Sequence, residues 1–145
     1  MAGGVKLLTF TRTESAAEPK VGAWLDGDIV DLEAALRRAH PEEKLPGSLR
    51  SLVAAGQSGI AAARRALDAA ASGRAGDAIR LRRHEVRLLP PIPDARPFLC
   101  VDKNNKSHLD ELMRNQLINE IPKEPTGFIK LSSVMVGDDA AVVRP

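Results

Sequence analysis

Aromatic residues are scarce in this 145-residue chain, with one Trp, three Phe and no Tyr. Proteins that hold single-stranded nucleic acid stack its bases on exposed rings, so a platform of that kind is excluded. Cysteine is scarcer still. Cys100 stands alone, which rules out an internal disulfide framework and suits a reducing compartment. Charge of one sign is also lacking: 21 Lys and Arg face 19 Asp and Glu, a net +2. That balance gives no reason to expect a polyanionic partner. No apolar run approaches membrane-spanning length, and the first residues have no signal-peptide apolar core. The composition reads as a soluble, cytoplasmic chain that works without nucleic acid and without a membrane.

What is present suffices for a packed core. Hydrophobic residues make up 43% and charged residues 28%, the balance of a globular domain rather than a disordered one. The length suits one domain, or one small domain and part of another. Val5–Phe10 has the composition of a first strand. After a long turn, Lys20–Leu25 and Asp28–Leu32 read as a hairpin, because Asp26-Gly27 between two β-prone runs is a strong two-residue turn signal. Asp31 is placed to cap a helix over Leu32–Ala39, with Leu32, Ala35 and Leu36 on one face. Pro41 and Pro46-Gly47 break the chain. Ser48 then starts a short helix carrying Leu49, Leu52 and Val53. Gly56 ends it, and Gln57 or Ser58 opens an Ala-rich helix to about Ala71, with Ile60, Ala63 and Leu67 toward the core.

Arg80, Arg82, Arg83 and Arg87 give Ile79–Leu89 a basic look that could suggest phosphate binding. Apolar Ile79, Leu81, Val86 and Leu88 alternate with them, however, so the stretch reads as a strand with one solvated face. His84 is expected to be exposed and structural. His40, before Pro41, reads as a helix-end residue with nothing near it in sequence to complete a metal site. Pro90-Pro91-Ile92-Pro93 is a stiff connector. It divides the chain into an N-terminal α+β domain over residues 1–91 and a second module over 92–145.

The second module opens on the stretch that carries chemistry. Phe98-Leu99-Cys100-Val101 has the composition of a buried strand. It runs into the polar turn Asp102-Lys103-Asn104-Asn105-Lys106. Ser107, with Asp110 three residues later, reads as a helix start with a capping box. His108 and Glu111, three apart, share a face of the first helical turn. A neutral imidazole can take a proton from water near pH 7, and an adjacent carboxylate fixes its tautomer and stabilises its cation. The helix continues to about Gln116 with Leu109, Leu112 and Met113 as a packing stripe. Thr126–Leu131 is a further strand, bearing Lys130.

In order along the chain, LLTF, VGAWLDGDIVDL, VRLLPPIP, FLCV, H-x-x-E, PKEP, F-x-K and VG…VVRP together resemble the fumarylacetoacetate hydrolase family. The resemblance covers nearly the whole chain, and its weight lies in the order rather than in any one motif. It implies a small N-terminal α+β domain followed by the start of a catalytic domain of mixed sheets wrapped as a β-roll. It also implies a hydrolase or lyase acting on 1,3-dicarbonyl or 2-oxo acid substrates, by C–C bond cleavage or decarboxylation, with Mg²⁺ or Mn²⁺. By the same resemblance His108 is the general base, Glu111 supports it, and Asn104 and Lys130 contact substrate. A homodimer, or association with the rest of the catalytic portion, is the implied assembly.

Two departures stand out. Where the family pattern reads G-x-N-Y, this chain has Asp102-Lys103-Asn104-Asn105. Asn104 is kept, but a side chain at 102 restricts the close backbone approach that Gly permits. The family's metal-binding Glu-x-Glu pair has no counterpart, since Glu42-Glu43, Asp110-Glu111 and Asp138-Asp139 are adjacent rather than alternating. The chain therefore reads as a fragment, a truncated copy or one piece of a split enzyme. The competing reading is a non-catalytic remnant that keeps the N-terminal fold for interaction.

Overall fold

The computed structural model describes residues 4–14 and 18–144. Part of the long turn expected between the first two strands, residues 15–17, lies outside the described residues, as do residues 1–3 and 145. The fold is α+β. It divides into two compact units, residues 1–94 with 135–145, and Ala95–Val134.

The first unit is built on a five-stranded antiparallel sheet in the order β4-β3-β2-β1-β5. Its strands are β1 (Leu7–Arg12), β2 (Lys20–Leu25), β3 (Asp28–Asp31), β4 (Arg80–Leu81) and β5 (Val86–Leu88). The β2–β3 hairpin turns on Asp26 and Gly27, both with positive φ (52° and 90°), as a two-residue turn matching strand twist requires. Ile79–Leu89 is not one strand. Short 3₁₀ turns at Asp77–Ile79 and Arg83–Glu85 interrupt it, leaving β4 and β5 on opposite edges of the sheet. In a flat sheet those edges would stand about 19 Å apart, four spacings of about 4.8 Å. The Leu81–Val86 link, tightened by its 3₁₀ turn, is too short for that, since its five steps span at most about 18 Å even fully stretched. The sheet therefore curls.

Curling gives the sheet an inside and an outside. Leu8, Phe10, Ile29, Leu81 and Val86 fill the inside, flanked by Trp24 and Leu88. Gly22 also faces inward, where an added Cβ would lie 2.9 Å from side-chain carbons of both Leu8 and Phe10. The outside carries Val21, Ala23 and Val30, covered by α1 (Leu32–Ala39), α2 (Leu49–Ala54) and α3 (Gln57–Ala71). Asp31 caps α1: its Oδ1 accepts the Ala34 N–H at 3.0 Å, and its Oδ2 accepts Lys20 Nζ at 2.8 Å. Ser48 caps α2 in a reciprocal box with Ser51.

The packing face of α3 differs from the expected Ile60/Ala63/Leu67 stripe. Gly59, Ala62, Ala63, Ala66, Ala69 and Ala70 are buried, while Ile60 and Leu67 flank the core half-buried. The physical reason is close helix approach. A Cβ on Gly59 would overlap the Leu52 carbonyl oxygen, so the small residues take the interface and the larger ones its margins. On α2, Leu49 and Leu52 are buried and Val53 is 55% exposed. No helix among the described residues is long and apolar enough to cross a membrane.

The second unit holds β6 (Phe98–Asp102) and β7 (Thr126–Lys130), paired antiparallel with Phe98 opposite Lys130 and Asp102 opposite Thr126. Between them lies α4 (Lys106–Arg114). The strand expected to be buried is not: Leu99 is 80% and Val101 66% exposed. Within this unit the ribbon has no second layer on that face, and none of residues 95–134 is buried.

Candidate active site

The helix bearing the expected dyad starts two residues before His108. Its N-cap is Asn105, whose Oδ1 accepts the Ser107 N–H at 3.0 Å and the His108 N–H at 3.4 Å. Ser107 was the expected cap, with Asp110 completing a box. Asn wins because its side-chain oxygen reaches the second and third helical amides from an extended backbone, φ −106° and ψ 122°. The Ser107 hydroxyl is consequently free to donate to the same Asn105 oxygen, at 2.7 Å. Just upstream, Lys103 adopts φ 49°, a left-handed backbone uncommon for residues other than glycine. That reversal is what turns the strand into the helix.

This arrangement sets His108 and Glu111 side by side. His108 Nδ1 lies 3.5 Å from Glu111 Oε2, and the two side chains are 52% and 62% exposed. An imidazole beside a carboxylate and open to solvent can exchange protons with a bound molecule. Asn104 sits in the turn directly before the cap and is exposed. Lys130 is placed elsewhere. The register puts it opposite Phe98, at the far end of the ribbon from Asp102, where the turn begins. Four strand steps of about 3.4 Å separate those ends, roughly 14 Å. The Lys130 ammonium lies 5.8 Å from the centre of the Phe128 ring, within cation–π range. The fold thus brings His108 and Glu111 together and holds Asn104 next to their helix, with Lys130 at the opposite end of the β6–β7 ladder.

One feature was not visible in the residue order. An open cavity of about 480 Å³ is lined by Lys103, Ile118, Asn119, Glu120 and Pro122. The only hint of it was the polar, proline-bracketed loop after α4, where neither helix nor strand period continues.

A divalent metal requires several converging ligands. Among the described residues, one His/acid cluster gathers such atoms: His40, Glu42 and Glu43, within 4.8 Å of one another. From the residue order, nothing near His40 completes a metal site. Here the turn after α1 folds Glu42 and Glu43 back, and the Glu43 N–H donates to the His40 carbonyl at 3.0 Å. Glu43 already has a cation, however. Its Oε2 accepts Arg65 Nε at 3.0 Å. The cluster fits a salt-linked helix end better than a metal, and among the described residues no third ligand joins His108 and Glu111.

No protein-family model matches the chain. Over 143 residues it is 28% identical to oxaloacetate tautomerase fahd2, mitochondrial, of Xenopus laevis. The match takes in 97% of this chain and 39% of that protein, so the chain spans about two fifths of the relative's length. The likeness points toward the fumarylacetoacetate hydrolase family and toward enzymes of the hydrolase and lyase kind.

Proposed function

We propose that His108 and Glu111 are the proton-transfer dyad of a fumarylacetoacetate hydrolase-family enzyme acting on a 2-oxo acid or 1,3-dicarbonyl substrate. The observation that carries this reading is the pairing of His108 Nδ1 with Glu111 Oε2 at 3.5 Å on a solvent-open helical turn. The relative's oxaloacetate tautomerase activity supports it, since keto–enol exchange needs one base to move a proton between carbon and oxygen. With Glu111 facing Nδ1, the second ring nitrogen, Nε2, is the atom that takes the proton from substrate or water. The carboxylate then stabilises the imidazolium that forms. C–C hydrolysis would use the same base to activate water, and decarboxylation would use the imidazolium as the acid that protonates the enolate left by loss of CO₂. Asn104 would orient substrate from the turn, and Lys130 would hold an anionic oxygen once the ribbon is completed.

A divalent metal does not fit the described residues of this chain by themselves. On this reading its ligands come from outside the chain. So does the remaining β-structure, because a two-stranded ribbon with no buried residue needs a partner layer to be stable. That layer would come from the rest of a longer protein or from a second copy.

A second reading, an interaction module without catalysis, is favoured by one observation. Asn105, standing where the family pattern has Tyr, is committed to capping α4 rather than to substrate. Assays of oxaloacetate tautomerisation, oxaloacetate decarboxylation and acylpyruvate hydrolysis decide between the two. They should use the protein containing this chain, supplied with Mg²⁺ or Mn²⁺. Turnover of any of these substrates supports the enzyme, and none with either metal supports the module.

A further inference from the structure

Strand β5 lies at the edge of the first unit's sheet and, among the described residues, pairs only with β1. Its ladder turns Glu85, Arg87 and Leu89 toward β1: the Leu89 N–H donates to the Thr9 carbonyl at 2.9 Å and the Thr13 N–H to the Glu85 carbonyl at 3.0 Å. Alternation along an antiparallel pair then points the backbone groups of Val86 and Leu88 away from the sheet. An unpaired row of this kind is a template for another strand.

Both outward carbonyls are covered, and by one device. Arg83 Nη1 donates to the Val86 carbonyl at 3.2 Å. The backbone at Gly137 approaches the Leu88 carbonyl so closely that an added Cβ would overlap it. The same guanidinium ties the two together, its Nη2 donating to Asp138 Oδ2 at 2.9 Å and Asp139 Oδ2 at 2.8 Å. Residues 135–144 accordingly belong to the first unit, although they follow the second in sequence. At the other crossing point, Arg50 Nη1 donates to the Asp94 carbonyl at 3.1 Å. Residues 95–134 leave and rejoin the first unit between two arginine anchors.

We infer that Met135–Asp139 is a strap that closes the free edge of β5, and that Arg83 is the latch holding it there. The latch is ionic and reaches solvent, with Arg83 38% and the two aspartates 61% and 84% exposed. Salt therefore loosens it, since the screening length falls from about 10 Å at 0.1 M to about 3 Å at 1 M.

Backbone ¹⁵N relaxation on the full chain tests this. In low salt the amides of Gly137–Ala140 should have order parameters near those of a rigid backbone, about 0.85, falling below about 0.6 in Arg83→Ala or in 1 M salt. Salt should have no further effect on Arg83→Ala. Asp138→Ala combined with Asp139→Ala should mobilise the same amides as Arg83→Ala does, because it removes both acceptors of Nη2 and leaves the Nη1 bond to the Val86 carbonyl in place. Gly137→Ala should also mobilise the segment while leaving both aspartates in place. Trp24 fluorescence should stay native throughout, showing that the sheet is intact. Order parameters unchanged by Arg83→Ala would overturn the latch, as would a segment that stays rigid in the double aspartate variant.

Discussion

Asp31 ties three elements together, and its removal has a size that follows from the geometry. The side chain is almost wholly buried, 2% exposed. One oxygen caps α1 and the other receives Lys20, whose side chain is 38% exposed. Asp31→Ala removes the cap, worth about 0.5–2 kcal/mol. It also removes a charge-assisted hydrogen bond worth about 1.5–3 kcal/mol. Lys20 reaches water and is rehydrated rather than stranded, so a total of about 2–4 kcal/mol is expected. Asp31→Asn keeps a capping oxygen and buries no charge, and should cost about 1 kcal/mol. Lys20→Met should cost more than Asp31→Asn, because it leaves a buried carboxylate without its cation. The double variant should recover part of that loss, giving a measurable coupling. Urea unfolding followed by Trp24, in β2 of the same sheet, is the assay. A loss below about 0.5 kcal/mol in Asp31→Ala, the scale of ordinary surface changes, would refute the reasoning. So would Lys20→Met proving milder than Asp31→Asn.

Gly22→Ala places a methyl 2.9 Å from Leu8 and Phe10 carbons inside the curled sheet. It should destabilise the first unit by about 1–3 kcal/mol in the same urea assay, and a neutral result would mean that the curl has slack. Limited proteolysis should cut first at the Asp102–Lys106 turn and at the loop following α4, since no residue of 95–134 is buried; earliest cleavage within β1–β3 would contradict the division of burial. Calorimetric titration of this chain with Mg²⁺ or Mn²⁺ should give no stoichiometric micromolar site, because Arg65 already holds Glu43; such a site, lost in Glu43→Gln, would show that the cation yields to metal.

Where local chemistry decides structure, the sequence was readable. Asp26-Gly27 set the hairpin, Asp31 and Ser48 set the helix starts, and both α1 and the α+β class followed. Three features depended on tertiary placement and could not be read so directly. The alternation over Ile79–Leu89 fitted one strand equally well as two short ones, and only the curl assigns its halves to opposite edges. The α3 face was chosen by close approach at Gly59 rather than by the largest apolar side chains. The apolar run Phe98–Val101 was correctly extended, but its burial depends on a layer that its own unit does not provide. At the candidate site, the His108/Glu111 spacing was legible because helical geometry alone brings them together. The Asn105 cap was missed because a serine followed by an acid looked like the stronger start.

The dyad is the central claim, and turnover by its variants tests it most directly. Steady-state rates should be compared for wild type, His108→Ala and Glu111→Gln in a protein containing this chain and already shown to be active. Positioned general-base catalysis contributes about 10²–10⁴-fold, so His108→Ala should lower kcat by that order with metal still bound. Glu111→Gln should do less harm, since it keeps a hydrogen bond beside Nδ1 and loses only the charge that favours imidazolium. If His108 were an ordinary helix-start residue with a surface salt link, its loss would cost less than about 1 kcal/mol of stability and nothing in rate. An unchanged kcat in His108→Ala would contradict the assignment.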